Sequence, residues 1–219
     1  MKLLELFSGT GSLGRPFRNN GWDVISVDLD DRFHPEVNED ILLWDYTQAQ
    51  TPDVIWASPP CDLYSVAHRH KTAAEMARAD ILVTKALEII AYFTARNPDL
   101  LWFMENPDTS SLKNRPVVQN LPYHILDYCM YGTPYRKRTR IWGNSAFVPK
   151  PLCCLTCEAR KHGNRHWFVA QRGGKRFKDG SLSPGFKTDT LHALPTRLCN
   201  AIFETCSGAV SFKNDGSGL

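Results

Sequence analysis

A cysteine behind two prolines, a glutamate beside an asparagine and a glycine-rich loop are the residues here whose types and spacing suit chemistry. Cys61 closes SPPC, Glu105 sits in FMENP, and LFSGTGSLG carries Gly9, Gly11 and Gly14. An ionised thiol is a strong nucleophile, and a carboxyl group positioned beside it can donate or accept a proton. The loop is not a P-loop, because no Gly-Lys-Ser/Thr follows, and its glycine spacing departs from the dinucleotide fingerprint. Gly9 and Gly11 permit positive φ angles and close backbone approach, and Asp28, about 20 residues on, is placed to accept hydrogen bonds from ribose hydroxyls. An acid without a lysine suits a nucleoside-like ligand that lacks phosphate. Asp40-Ile41 adds an acid for an adenine amino group. The plain alternatives are a tight turn, a buried inert thiol and a surface acid.

A second cluster lies late in the chain, in CCLTCEARKHGNRH. Two residues separate Cys154 from Cys157 and three separate His162 from His166, which is tetrahedral zinc spacing at each end, with Cys153 able to replace Cys154. The alternative is a basic loop with incidental thiols. Seven cysteines, an odd number, make a poor secreted disulfide framework. The net charge is only +3, but its placement is uneven. Arg136, Lys137, Arg138, Arg140, Lys150, Arg160, Lys161, Arg165, Arg172, Lys175, Arg176 and Lys178 face few acids, so the second half predicts a polyanionic partner.

The elements that must position these residues alternate. KLLELF, WDVISVDLD and PDVIWAS read as strands, and SLGRPFRNNG as a short helix with Ser12 as its N-cap and Pro16 in its first turn. Thr72 and Glu75 form a capping-box pattern. Met76, Ala79, Val83, Leu87 and Ile90 then recur at helical spacing until Asn97-Pro98, a stripe that reads as core. LLWFME, YHILDY and TRIW complete the strands, and Pro195 opens a last helix. Strand-helix-strand rhythm predicts an α/β fold with a parallel sheet, in which ligands bind beyond the carboxyl ends of the strands. The glycine loop, Asp28, SPPC and MENP all fall at such ends.

LELFSGTGSLG, the PPC of SPPCDLYS, the EN of FMENP and the run YGTPYRKRTRIW follow one another as in DNA (cytosine-5) methyltransferases, and the chain resembles that family over residues 1–142 and the final helix. The resemblance implies the S-adenosylmethionine-dependent methyltransferase fold, a Rossmann-like, mostly parallel seven-stranded sheet with one reversed strand and here a small irregular insert. It implies S-adenosylmethionine on Phe7, Ser8, Gly9, Thr10, Gly11, Ser12, Leu13, Asp28, Asp40, Ile41 and Pro59. It further implies Cys61 as the thiolate that adds to carbon 6 of a flipped-out cytosine, Glu105 as the carboxyl at N3, and Arg138 and Arg140 as cations near O2. The chain departs from the family in Asp62, where glutamine is usual after the cysteine, in Tyr135-Arg136-Lys137 ahead of the arginine pair, and in Pro107 after Glu-Asn.

The expected organisation is a catalytic core (1–142), a basic Cys/His-containing recognition insert (143–190), a returning helix (191–210) and a disordered tail (211–219). DNA is the expected partner, zinc a structural cofactor of the insert, and the protein a monomer. MKLLELFSG predicts no signal peptide and no apolar run reaches a membrane span of about 20 residues, so the expected location is cytoplasmic, or nuclear in a eukaryote. Competing readings are an N4 or N6 amino-methyltransferase, an RNA methyltransferase and a catalytically dead nucleic-acid-binding module. The first carries an aromatic residue where SPPC has its cysteine, and the last has no need of Cys61 and Glu105 together.

Overall fold

A computed structural model describes residues 1–65, 70–155, 157–160, 165–178 and 180–214, the final four by backbone alone. Its first strands in chain order are β1 (Lys2–Leu6), β2 (Asp23–Asp28), β3 (Val37–Asn38), β4 (Val54–Ala57), β5 (Leu101–Pro107), β6 (Tyr123–Asp127), β7 (Tyr135–Arg136) and β8 (Arg138–Gly143). All but β7 form one sheet in the order β3-β2-β1-β4-β5-β8-β6. β8 runs antiparallel to both neighbours and every other pairing is parallel, so one strand is reversed, as expected. The sequence reading lacked β3, whose two residues are too few to show a period-2 pattern.

Alternation along the strands divides the core into two layers. Leu4 and Leu6 face α2 (Ala73–Thr94), packing with Val83, Ala86, Ile90 and Phe93. Leu3 and Val24 face the other way, onto Phe17 of α1 (Gly14–Asn19) and Leu198 and Ile202 of the last helix. The α2 N-terminus is closed by the expected capping box: Glu75 N–H donates to Thr72 Oγ1, and Thr72 N–H donates to the Glu75 carboxylate at 2.8 Å.

The α1 cap differs from expectation. Ser12 does not cap it; its Oγ accepts from Leu194 N–H at 3.0 Å. Leu13 stands at the cap position with no side-chain bond, and the carboxylate of Glu5, reaching over from β1, accepts from Gly14 N–H at 3.2 Å. An acid from a neighbouring strand thus satisfies a helix donor that a local serine would otherwise take.

Beyond β8 only short elements occur among the described residues: β9 (Phe168–Val169), β10 (Lys175–Arg176), β11 (Leu182–Ser183) and α3 (Thr188–His192). β7 pairs with β9 and β10 with β11. α4 (Thr196–Asn214) then returns to the core and runs past the point where a tail was expected, and residues 215–219 lie outside the described residues. Among the described residues no helix is long and apolar enough to cross a membrane.

Candidate active site

The carboxyl ends of β1, β2, β4 and β5 open onto one cavity of about 390 Å³. A ligand-sized pocket starts at about 300 Å³, so the volume suits a small cofactor with part of its substrate. Phe7, Ser8, Gly9, Thr10 and Ser12 form one wall, Asp28, Asp40 and Ile41 a second, and Pro59, Cys61 and Glu105 a third.

Backbone conformation explains the glycine loop. Phe7 leaves β1 at φ +54°, and Gly9 and Gly11 follow at +47° and +60°. The left-handed region costs a phenylalanine roughly 1–2 kcal/mol, and such strain gathers at ligand sites. Asp28 holds the loop: one carboxylate oxygen accepts from Gly9 N–H at 2.7 Å and the other from Asp30 N–H at 2.8 Å. Gly11 and Leu13 were expected to meet the cofactor, but neither lines the cavity. Gly11 turns the chain, its N–H bonded to Ser8 O, while Leu13 is buried in the core beneath.

Asn106 joins the two chemical motifs. Its amide donates to the Pro59 carbonyl at 3.0 Å and its oxygen accepts from Ser110, so the Glu-Asn strand end fixes the Pro-Pro-Cys turn. The 3₁₀ turn after Cys61 is anchored by buried Tyr64, whose hydroxyl donates to Asp80 at 2.8 Å, with Arg115 on the same carboxylate. Glu105 is buried and accepts from the Tyr128 hydroxyl at 3.0 Å. Burial holds that hydroxyl protonated, its pKa raised well above the usual tyrosine range. Burial likewise pushes the Cys61 thiol up to about 11, against the pull of the Lys137 ammonium and with the help of the Glu105 and Asp62 carboxylates. At rest the thiol therefore keeps its proton.

Arg138 and Arg140 were expected beside the ring, and here the structure differs. The Arg138 guanidinium is paired with Asp127 through two bonds of 3.0 and 3.1 Å, and Arg140 with Asp108 at 2.8 Å; neither lines the cavity. They reach across to acids on the adjoining strand and loop, and the cations that do line the cavity are Lys137 and Arg32. Sequence reasoning also missed Glu5, which lines the cavity at 2% exposure. Its signal was available: a carboxyl group inside an otherwise apolar strand must have a partner. Burial pushes this carboxyl up to about 7, against Arg18 and the backbone N–H groups of Gly14 and Leu13.

The expected metal ligands are only partly brought together. Cys157 and His166 meet, but Cys153 and Cys129 join them, Cys154 is exposed and outside the group, and His162 lies outside the described residues. The turn after Cys153 aims successive side chains apart, so of the adjacent pair only Cys153 faces inward.

The cavity is rich in carboxylates, with Glu5, Asp28, Asp30, Glu39, Asp40 and Glu105 in its walls against Arg32 and Lys137. S-adenosylmethionine, a nucleoside bearing a sulfonium and an ammonium and no phosphate, matches both this charge and the open glycine loop.

No family model matches the chain. It is 37% identical over 198 residues to a protein of Frog virus 3 (isolate Goorha) named as a probable DNA (cytosine-5)-methyltransferase, covering 80% of this chain and 88% of that protein. It is 24% identical to a Methanocaldococcus jannaschii protein named as a type II methyltransferase, covering 69% of this chain and 58% of that one. A solved prophage-encoded DNA modification methyltransferase from E. coli aligns at a TM-score of 0.47 and 16% identity, over 70% of this chain and 52% of its own. The mostly parallel seven-stranded sheet with one reversed strand, and the cavity at its strand ends, match the S-adenosylmethionine-dependent methyltransferase fold that the sequence resemblance implied. Through its likeness to the viral protein, the chain belongs to the DNA (cytosine-5)-methyltransferase family.

Proposed function

We propose that this enzyme methylates carbon 5 of cytosine in DNA through a covalent adduct of Cys61. The observation that carries the reading is that Cys61 and Glu105 line the same cavity as the Phe7–Ser12 loop. S-adenosylmethionine, when bound, supplies an electrophilic methyl group. Phe7, Ser8, Gly9 and Thr10 would hold it, with Asp28 at the ribose and Asp40 at the adenine.

Carbon 5 of cytosine is a weak nucleophile, and the chain's side chains must activate it. Cys61 gives its proton to solvent and its sulfur adds to carbon 6, which pushes the electron pair of the 5,6 double bond onto carbon 5. Glu105, oriented by Tyr128, bonds at N3 and the exocyclic amine and offsets charge that develops only as sulfur adds. Lys137 favours the thiolate electrostatically. After carbon 5 takes the methyl group, its proton leaves to solvent, the double bond re-forms and the sulfur departs. A base in a duplex cannot present its face to a thiol in such a cavity, so the cytosine is flipped out. The exposed cations Arg136, Arg172, Lys175, Arg176 and Lys178 suit the flanking phosphates.

DNA carrying 5-fluorocytosine tests the reading. Fluorine cannot leave carbon 5 as a proton does, so with S-adenosylmethionine a covalent complex should survive denaturing electrophoresis and vanish in Cys61→Ser. Methylated product from ordinary DNA without any trapped complex would point to direct amino transfer and overturn the assignment.

A further inference from the structure

Away from the cavity, on the side of the sheet where β6 ends, Cys129, Cys153, Cys157 and His166 converge. Their ligand atoms all lie within 4.8 Å of one another. His166 Nε2 is 3.1 Å from Cys157 Sγ and 3.6 Å from Cys153 Sγ. A tetrahedral zinc ion, with Zn–S of about 2.3 Å and Zn–N of about 2.0 Å, requires S···N of about 3.5 Å and S···S of about 3.8 Å. We propose that these four side chains form a closed zinc site that fastens the segment after β8 to the sheet.

The sources of the ligands support this. Cys129 comes from the 3₁₀ turn that follows β6, while the other three come from the segment beyond β8. Between Cys153 and Cys157 the chain passes through Leu155 at φ +69°, which folds it back so that both sulfurs face one point. The Leu155 N–H donates to Cys153 Sγ at 3.3 Å, a bond that stabilises a thiolate ligand. Behind the site, the Cys153 N–H donates to Asp127 Oδ2 at 3.1 Å, and Asp127 is clamped by Arg138. This gives Arg138 its place as a support of the metal turn through Asp127. Three thiolates and an imidazole select zinc over hard cations, and four protein ligands leave no position for water, so the metal is structural. The segment also needs a staple, because its strands are two residues long and among its described residues few apolar side chains are buried.

The assignment is independent of the methyl-transfer chemistry and is tested without it. Full-length protein prepared without chelator should contain about one zinc per chain by elemental analysis. Cys129→Ser and Cys153→Ser should each weaken retention against a competing chelator by more than the roughly 10- to 100-fold typical of losing an outer ligand partner. Cys154→Ser should retain the metal in full. Should the serine variants fail to fold, cobalt substituted into the wild-type protein should give intense tetrahedral d–d absorption and thiolate charge-transfer bands. Protein without zinc, a disulfide among the three cysteines in its place, weak octahedral cobalt spectra, or metal lost in Cys154→Ser but kept in Cys129→Ser would each overturn the proposal.

Discussion

Replacing Glu5 by glutamine should change how stability depends on pH. Its carboxyl is 2% exposed and held at about 7 in the folded chain, against 4.5 for the ordinary side chain. The folded state therefore binds this proton more tightly than the unfolded state does. Its contribution is complete below pH 4.5, is lost as the pH rises to about 7, and is constant beyond. At about 1.4 kcal/mol per tenfold change in proton affinity, the full loss is roughly 3 kcal/mol. Glutamine titrates nothing and keeps an oxygen for the Gly14 N–H, so any packing penalty it brings is an offset independent of pH. Urea unfolding of both proteins between pH 4.5 and 8 should show Glu5→Gln gaining on the wild type by roughly 3 kcal/mol across that window, with the m-value unchanged. Parallel profiles would refute the argument and show that folding leaves the Glu5 carboxyl near its ordinary value. The same proton couples to the ligand. Calorimetry at pH 6 in two buffers of different ionisation enthalpy should show proton release when S-adenosylmethionine binds the wild type and none from this group in the variant.

Two other perturbations probe the wall and the sheet. Lys137→Met removes the ammonium that pulls the Cys61 thiol down, so the thiol should titrate above its present value of about 11; mass-spectrometric alkylation rates of the Cys61 peptide against pH would show a slower reaction at pH 8, and an unchanged profile would remove Lys137 from the site. Gly143→Ala drives a Cβ into the Trp102 carbonyl oxygen at the β5–β8 pairing, whereas nothing lies within 4 Å of a Cβ at Gly173. The first substitution should cost about 2–3 kcal/mol in urea unfolding and the second very little, and equal effects would contradict this account of the pairing.

The parallel sheet, α2 and the strand-end position of Cys61, Glu105 and Asp28 were legible because each rests on local information: apolar period, a capping box, a turn at a strand end. Relations across the sequence were not. The arginines of RTR were expected in the site through the family resemblance, and only the register of β8 against β6 shows Arg138 opposite Asp127. Cys129 stood as an isolated cysteine just after a strand-like stretch, 24 residues before the nearest of its partners in sequence, Cys153. Ser12 looked like a helix cap because the competing acceptor, Glu5, belongs to another element. In each case a side chain chose a partner that tertiary structure supplied.

The first helix and the last form one layer. Phe17 and Trp22 meet Phe203 of α4 edge-on, at ring centroid separations of 5.2 and 6.2 Å, and the Ser12–Leu194 hydrogen bond spans 182 residues. During synthesis, then, β1, β2 and the glycine loop leave the ribosome long before the helix that covers their apolar face exists. Until α4 arrives, Phe17 and Trp22 stay open to water and to other chains, and the loop lacks its tie to Leu194. The glycine loop's tie is thus made only after Leu194 and α4 are synthesised, and until then the nascent chain must keep its own first helix from aggregating.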